Sequence, residues 1–148
     1  MCQRTIQGTS RPPDTSSTQR LRLMLTAMYD IDGTLSAQPH IFCQIMCALK
    51  AAGWHNAVVS GDNPDSPSGG TFQDKCNYLQ SVGITECWDE LVVIPSPTPE
   101  IRAQIKAQWC KDNAVSVMFD NDKGNADAAV VIGVPLVLVP WATRERDQ

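Results

Sequence analysis

The sequence lacks the marks of several function classes. Six cysteines occur in 148 residues, yet none forms a C-x-x-C pair. The histidines are two, His40 and His55, and neither has ligand spacing. A zinc ribbon, a zinc finger and a thioredoxin-like redox motif are therefore excluded. Apolar runs are too short to span a bilayer, and no secretory pattern precedes the first apolar segment. These absences lead to the expectation of a reduced, cytoplasmic protein with buried or idle thiols and no membrane partner. A basic excess is missing too: 12 Lys and Arg face 16 Asp and Glu, for a net charge of −4. Broad non-specific nucleic-acid binding needs a basic surface, so nucleic acid is not favoured as a partner and only a local basic groove is left open. With 43% apolar and 19% charged residues, the composition is that of a folded chain. Its length suits one domain with a core.

What is present centres on Ala27-Met28-Tyr29-Asp30-Ile31-Asp32-Gly33-Thr34-Leu35. An apolar run ends in two carboxylates at i and i+2, followed by Gly and Thr. This reads as a strand presenting Asp30 and Asp32 at its C-terminal lip, the edge where open α/β sheets bind ligands. One carboxylate there can attack phosphorus. The other can protonate a leaving oxygen and later accept a proton from water. Two close carboxylates repel, so a cation is expected between them. Mg²⁺ takes one or two carboxylates together with substrate phosphate oxygens. Gly33 lets the backbone turn where a Cβ would clash.

Tyr-Asp-Ile-Asp-Gly-Thr-Leu resembles the first motif of the haloacid dehalogenase-like phosphohydrolases, Asp-x-Asp-Gly-Thr after an apolar strand. The resemblance implies Asp30 as nucleophile and Asp32 as general acid/base, with Thr34 beside the substrate. Ser60-Gly61, at the end of a strand His55–Ser60, resembles the second motif, whose Ser hydroxyl and neighbouring amide hold the phosphoryl group. Many relatives carry Arg after Ser-Gly; here it is Asp62, so no phosphate-side arginine is expected at that point. The third motif is a Lys near the start of the helix before the fourth strand. Lys106 has the right chemistry but lies deeper in that helix. Arg102 lies nearer its start, and the two share one face at i and i+4. The last motif is an acid pair at a strand end, and Val115–Phe119 runs into Asp120-Asn121-Asp122-Lys123-Gly124-Asn125-Ala126-Asp127. In one frame Asp120 is the first acid, Asn121 replaces the second and Asn125 is the later member. A shifted frame uses Asp122 and Asp127. Asp120 is preferred because it ends a strand as Asp30 does. The implied Mg²⁺ ligands are Asp30, Asp32, Asp120 and Asn121.

Strands and helices alternate along the rest of the chain. Residues 1–20 are polar and rich in Ser, Thr, Gln, Arg and Pro, reading as a disordered tail. A domain follows over 21–141, then a polar tail over 142–148. The expected strands are Leu21–Tyr29, His55–Ser60, Leu91–Ile94, Val115–Phe119 and a buried Pro135–Val139. The expected helices are Pro39–Ala52, Thr71–Val82, one from Pro99 to near Asn113, and one ending at Ile132. In the first, Ile41, Ile45 and Leu49 form the apolar row, flanked by Phe42, Met46 and Ala52. This alternation predicts an α/β fold, a three-layer Rossmann-like parallel sheet with helices on both faces.

Spacing adds a constraint. Cap domains of this superfamily insert just after the first motif or between the second and third. About four residues separate Leu35 from the first helix, and the stretch from Gly61 to Glu100 is filled by a loop, a helix and a strand. No cap fits. The resemblance then implies a site left open to a bulky phosphorylated substrate, macromolecules included, or covered by another chain such as a second copy. Asp32 points to phosphomonoester hydrolysis, since the dehalogenase branch lacks that acid and the ion-pumping branch has Thr. A polynucleotide 3′-phosphatase is the alternative activity, and a catalytically weak binding domain is the alternative of another class.

Overall fold

The computed structural model describes residues 24–139. The two polar tails, the start of the expected first strand at 21–23 and the Pro140-Trp141 end of the domain lie outside the described residues.

The strands are β1 (Thr26–Tyr29), β2 (His55–Gly61), β3 (Glu90–Ile94), β4 (Val117–Asp120) and β5 (Leu136–Leu138). They form one five-stranded sheet in the order β3-β2-β1-β4-β5. Every pairing is parallel. Helices α1 (Pro39–Ala51), α2 (Phe72–Ser81), α3 (Pro99–Asp112) and α4 (Lys123–Val131) connect them. From β1 the chain steps outward through β2 to β3, then returns across the sheet to β4 beside β1. The direction of winding thus reverses between β1 and β4, and at such a switch point the loops part and leave a crevice.

Alternation along β1 explains the three layers. Ala27 and Tyr29 face one side, with Phe42 and Met46 of α1 and Cys76 and Leu79 of α2. Met28 faces the other, with Trp109 and Cys110 of α3 and Ala129 of α4. Both faces are covered, which suits an all-parallel sheet. The Tyr29 ring stacks on Phe119 at 5.1 Å and meets Phe42 edge-on. Its hydroxyl donates to Asn56 Oδ1 at 2.9 Å, and Asn56 Nδ2 donates in turn to the Met46 and Cys87 carbonyls. The Tyr29 hydroxyl and the Asn56 amide are thus satisfied, while Trp88 Nε1 beside the same cluster is buried without a hydrogen-bond partner. No cap module interrupts the connections among the described residues, and none of their helices is long and apolar enough to cross a membrane.

Four details differ from expectation. The row of α1 buried in the core is Phe42 and Met46; Ile41 is 51% exposed, and Ile45 and Leu49 are only partly buried. A broad apolar stripe contains both rows, and the aromatic contacts of Phe42 decide the rotation. β4 starts at Val117, because Val115 and Ser116 form the joint after α3: Val115 N–H donates to the Cys110 carbonyl. β5 is an edge with Val137 and Leu138 exposed rather than a buried strand. Finally, the thiols are not all idle. Cys47 on α1 is joined to Cys87 in a disulfide, with Cα atoms 5.0 Å apart across 40 residues of sequence. The fold brings the pair together, and nothing in their sequence spacing announces it. Loss of this bond is expected to lower unfolding free energy by about 2–4 kcal/mol. Denaturant midpoints of the wild type and of a variant carrying Cys47→Ala and Cys87→Ala, both without reductant because Cys76 is disulfide-bonded as well, check this, and identical midpoints would show that the bond contributes nothing.

Candidate active site

The site sits over the β1/β4 crevice, where strand ends deliver four of the expected residues. Asp30 follows β1 directly, and its N–H donates to the Phe119 carbonyl of β4 at 3.0 Å. The chain then turns sharply. Asp32 (φ −70°, ψ 117°) and Gly33 (φ 82°, ψ −6°) occupy the two central positions of a type II turn, whose second position requires positive φ. Gly33 is needed twice over, since a Cβ there would lie 2.4 Å from Asn121 Nδ2. Gly33 N–H donates to Ser36 Oγ at 2.8 Å. The motif is thus a compact turn whose two carboxylates both line a cavity of about 410 Å³.

Of the two helix cations, Lys106 is the one that contacts the strand-end acids. It reaches from α3 with its ammonium 2.5 Å from Asp30 Oδ1 and 3.3 Å from Asp120 Oδ2. Its residue is essentially fully buried. A long stem carries the charge back to the strand ends from deep in the helix. Arg102 also lines the cavity, but it pairs with Asp122 at 3.4 Å, and its buried Nε has no hydrogen-bond partner.

Asp120, at the end of β4, is wholly buried. It accepts from Asp122 N–H at 2.9 Å and from Asn125 Nδ2 at 3.0 Å, besides Lys106. Asn121 lies against Gly33 and accepts from the Thr34 hydroxyl at 3.3 Å. Asp122 caps α4, accepting from Asn125 N–H at 3.0 Å. Asp127 is exposed, paired with Lys123 at 2.8 Å. Asn121, Asp122 and Asn125 line the cavity, Asp120 lies behind them against Lys106 and Asn125, and Asp127 is away from it.

Ser60 and Gly61 line the cavity from the end of β2. Thr34 does not: it is fully buried, and its hydroxyl bond goes to Asn121, so its place is inside the turn rather than against a ligand. Asp62 points away from the cavity and accepts from Ser96 N–H and Oγ at 2.8 and 2.9 Å. It ties the β2 and β3 ends together. A Cβ on Gly61 would come within 3.2 Å of Arg102 Cδ, so a cation does stand beside the Ser-Gly pair, supplied by α3.

Asn125, the later member of the last motif, lines the cavity, and its Oδ1 is buried without a hydrogen-bond partner. Two contributors were not anticipated. Ser36 lines the cavity. The second is Lys75 of α2, fully buried. Its ammonium donates to Ser68 Oγ at 2.9 Å and to the Gly69 carbonyl at 2.7 Å. Ser68 in turn donates from Oγ to Asp32 Oδ2 at 2.7 Å and from N–H to Asp32 Oδ1 at 3.1 Å. A signal for Lys75 existed: with Cys76 and Leu79 it lies on the apolar stripe of α2, where a solvated lysine does not belong.

Electrostatics follow the crowding. Burial first, then the Asp120 carboxylate, push Asp30 up from 3.8 to about 7, against the opposing pull of Lys106. For Lys106, burial works to lower the ammonium, but the Asp120 and Asp30 carboxylates outweigh it and hold the group above its ordinary value. Burial pulls Lys75 down, with Asp32 and Asp30 pushing back. The Asp30 shift has a stability consequence with a definite sign. A raised carboxyl keeps its proton more readily folded than unfolded, so its contribution is present below 3.8 and is lost as pH rises toward about 7. Wild-type stability should therefore fall relative to Asp30→Asn across that window in metal-free buffer. Denaturation of both proteins at several pH values measures the difference, and a gap that does not change with pH contradicts the assignment.

No profile of a known protein family matches the chain, and no curated protein matches it either.

Proposed function

We propose that the chain is a haloacid dehalogenase-like phosphohydrolase of the small capless kind, a Mg²⁺-dependent phosphomonoesterase. The observation that carries this reading is Asp30 at the switch point with the Lys106 ammonium on one of its oxygens, and Asp32 on the same turn. Phosphoryl transfer asks mostly for positioning and charge stabilisation, and these groups supply both.

In this mechanism the Asp30 carboxylate attacks phosphorus and forms an aspartyl-phosphate while the bond to the leaving oxygen breaks. Asp32 gives its proton to that oxygen. Asp32 then takes a proton from water, whose oxygen attacks phosphorus and releases phosphate, regenerating the Asp30 carboxylate. Lys106 offsets charge on Asp30 and on the transferred group. Ser60 and the Gly61 backbone hold phosphoryl oxygens, with Arg102 at the rim.

The residues fit Mg²⁺. Asp30 and Asp120 share Lys106 across the crevice, and Asn125 Oδ1 is a buried acceptor without a partner. This is a hard, all-oxygen set. No group of three His, Cys, Asp or Glu forms a metal cage among the described residues, and Mg²⁺ is characteristically held by one or two carboxylates plus substrate phosphate. Asp30, Asp120 and the Asn121/Asn125 amides would hold it. Bound there, it would neutralise phosphoryl charge.

The cavity wall is polar, with Ser36, Asn63, Ser66 and Ser96 around the rim and no aromatic side chain among the described residues that line it. That favours a polar phosphomonoester. A cytoplasmic location is the sequence's expectation, and the Cys47–Cys87 bond pulls the other way, since disulfides persist in oxidising compartments. Alkylation of thiols trapped at harvest decides it.

Phosphate release from an aryl phosphate, with Mg²⁺ and with excess chelator, tests the reading. A screen of phosphorylated metabolites and 3′-phosphorylated oligonucleotides then identifies the substrate. Turnover that survives full chelation removes the metal; no turnover on any substrate moves the chain to the binding-domain alternative.

A further inference from the structure

We propose that Lys75, acting through Ser68, is a positioning residue that holds Asp32 in place for proton transfer. The inference rests on the phosphomonoesterase reading and adds a part to it that the motif does not contain.

The loop before α2 holds the Asp32 carboxylate. Ser68 contacts both carboxylate oxygens, one from its amide and one from its hydroxyl, at 3.1 and 2.7 Å. A hydroxyl has one proton to give. Lys75 donates to Ser68 Oγ at 2.9 Å, so the hydroxyl accepts from the ammonium and its proton is directed to Asp32. Each bond in such a chain polarises the next, and the effect is larger when it is buried. Ser68 and Lys75 are both buried, at 1% and 0% exposure.

The loop is built to be stiff. Ser66 Oγ lies 2.8 and 3.0 Å from the Asn63 and Gly69 carbonyls, which share its one proton, and Gly69 N–H returns to the Ser66 carbonyl at 2.9 Å. Gly69 has φ +79°, and a Cβ on it would lie 2.5 Å from Asp74 Cβ. The same Asp74 closes a capping box with Thr71 at the start of α2. Lys75 follows it directly, so the helix start, the loop and the carboxylate are fixed as one unit. A burial this costly for a lysine is otherwise unexplained: the ammonium donates to a serine and a backbone carbonyl, and the nearest purpose for its charge is Asp32. Both oxygens keep lone pairs for a substrate, because an ionised carboxylate offers about four acceptor sites.

The test uses the full chain and two variants, Lys75→Met, whose thioether fills the stem's volume, and Ser68→Ala. The first arm is amide hydrogen exchange over residues 66–70, which needs no turnover. Faster exchange there in Lys75→Met, with the rest of the domain unchanged, is expected; unchanged exchange overturns the clamp. The second arm is kcat on substituted phenyl phosphates with good and poor leaving groups. A misplaced general acid hurts poor leaving groups most, since general acid catalysis contributes about 10²–10⁴-fold where the proton is needed. Both variants should lose tenfold or more in kcat on the poorest leaving group and little on the best, with KM nearly constant. A slowdown uniform across the series, or none, overturns the proposal whatever the exchange shows. A wild-type protein inactive on every ester defeats the phosphatase reading instead, and the exchange arm alone then decides the clamp.

Discussion

Asp30→Asn is expected to abolish turnover, by at least about a thousandfold, while the protein stays folded. The amide keeps the shape of the carboxyl and its place after β1, but it cannot act as the nucleophile. The fold has reason to tolerate the change. Burial and the Asp120 carboxylate already push Asp30 toward its neutral form, and Lys106 keeps Asp120 as a partner at 3.3 Å after the substitution. A neutral amide next to Asp120 also removes a like-charge repulsion. The variant should therefore melt at or above the wild-type temperature near neutral pH. The same assay run with Asp32→Asn separates the two roles, since loss of the acid should be mildest on the most activated ester. Turnover of Asp30→Asn within a few-fold of wild type would falsify the aspartyl-phosphate mechanism.

How much of this was legible before the fold was known depends on the residue. Asp30, Asp32, Gly33 and Asp120 follow strand ends, and strand ends of a parallel sheet share one edge, so period-two apolar runs suffice to bring them together. The fold class and the absence of room for a cap follow from the same alternation and from short gaps. Lys106 could not be chosen over Arg102 from spacing, because both lie on one face of α3. The structure places them differently, with the Lys106 ammonium 2.5 Å from Asp30 and Arg102 turned to Asp122. The burial of Thr34 was not legible, because a hydroxyl in a loop looks available, whereas the tight turn buries it against Asn121. Lys75 and Ser68 were missed because loop 63–70 reads only as turn-forming composition. Its course back over Asp32 is tertiary, as is the approach of Cys47 to Cys87. The rotation of α1 was also undecided, since Ile41 and Phe42 are equally apolar and only contact with Tyr29 and Phe119 distinguishes them.

Lys106→Met is the substitution expected to damage both stability and chemistry. The ammonium stands between two buried carboxylates, and removing it leaves Asp30 and Asp120 facing each other unopposed. Breaking a buried pair by deleting one partner costs about 3–5 kcal/mol. The same loss removes a preorganised charge from the transferred phosphoryl group, worth on the order of a hundredfold or more in rate. Arg102→Met should behave differently. Its pair with Asp122 is partly exposed and long, at 3.4 Å, and such pairs contribute about 0–1 kcal/mol. Because Arg102 lines the cavity beside Gly61, its loss should raise KM more than it lowers kcat. Both variants are assayed at a temperature where circular dichroism shows them folded, so that rate and stability are read separately. Lowering the pH offers an internal control for Lys106→Met: Asp30 is at about 7 in wild type with Lys106 pulling it down, so without that ammonium it takes up its proton at higher pH, and the variant should regain stability relative to wild type as pH falls toward about 7 from the alkaline side. The reverse kinetic pattern, with Arg102 dominant in kcat and Lys106 nearly silent, would move the phosphoryl-facing role to Arg102. If neither slows turnover, the cation motif plays no part in the hydrolysis, and charge on the transferred group must be offset by other groups of the pocket.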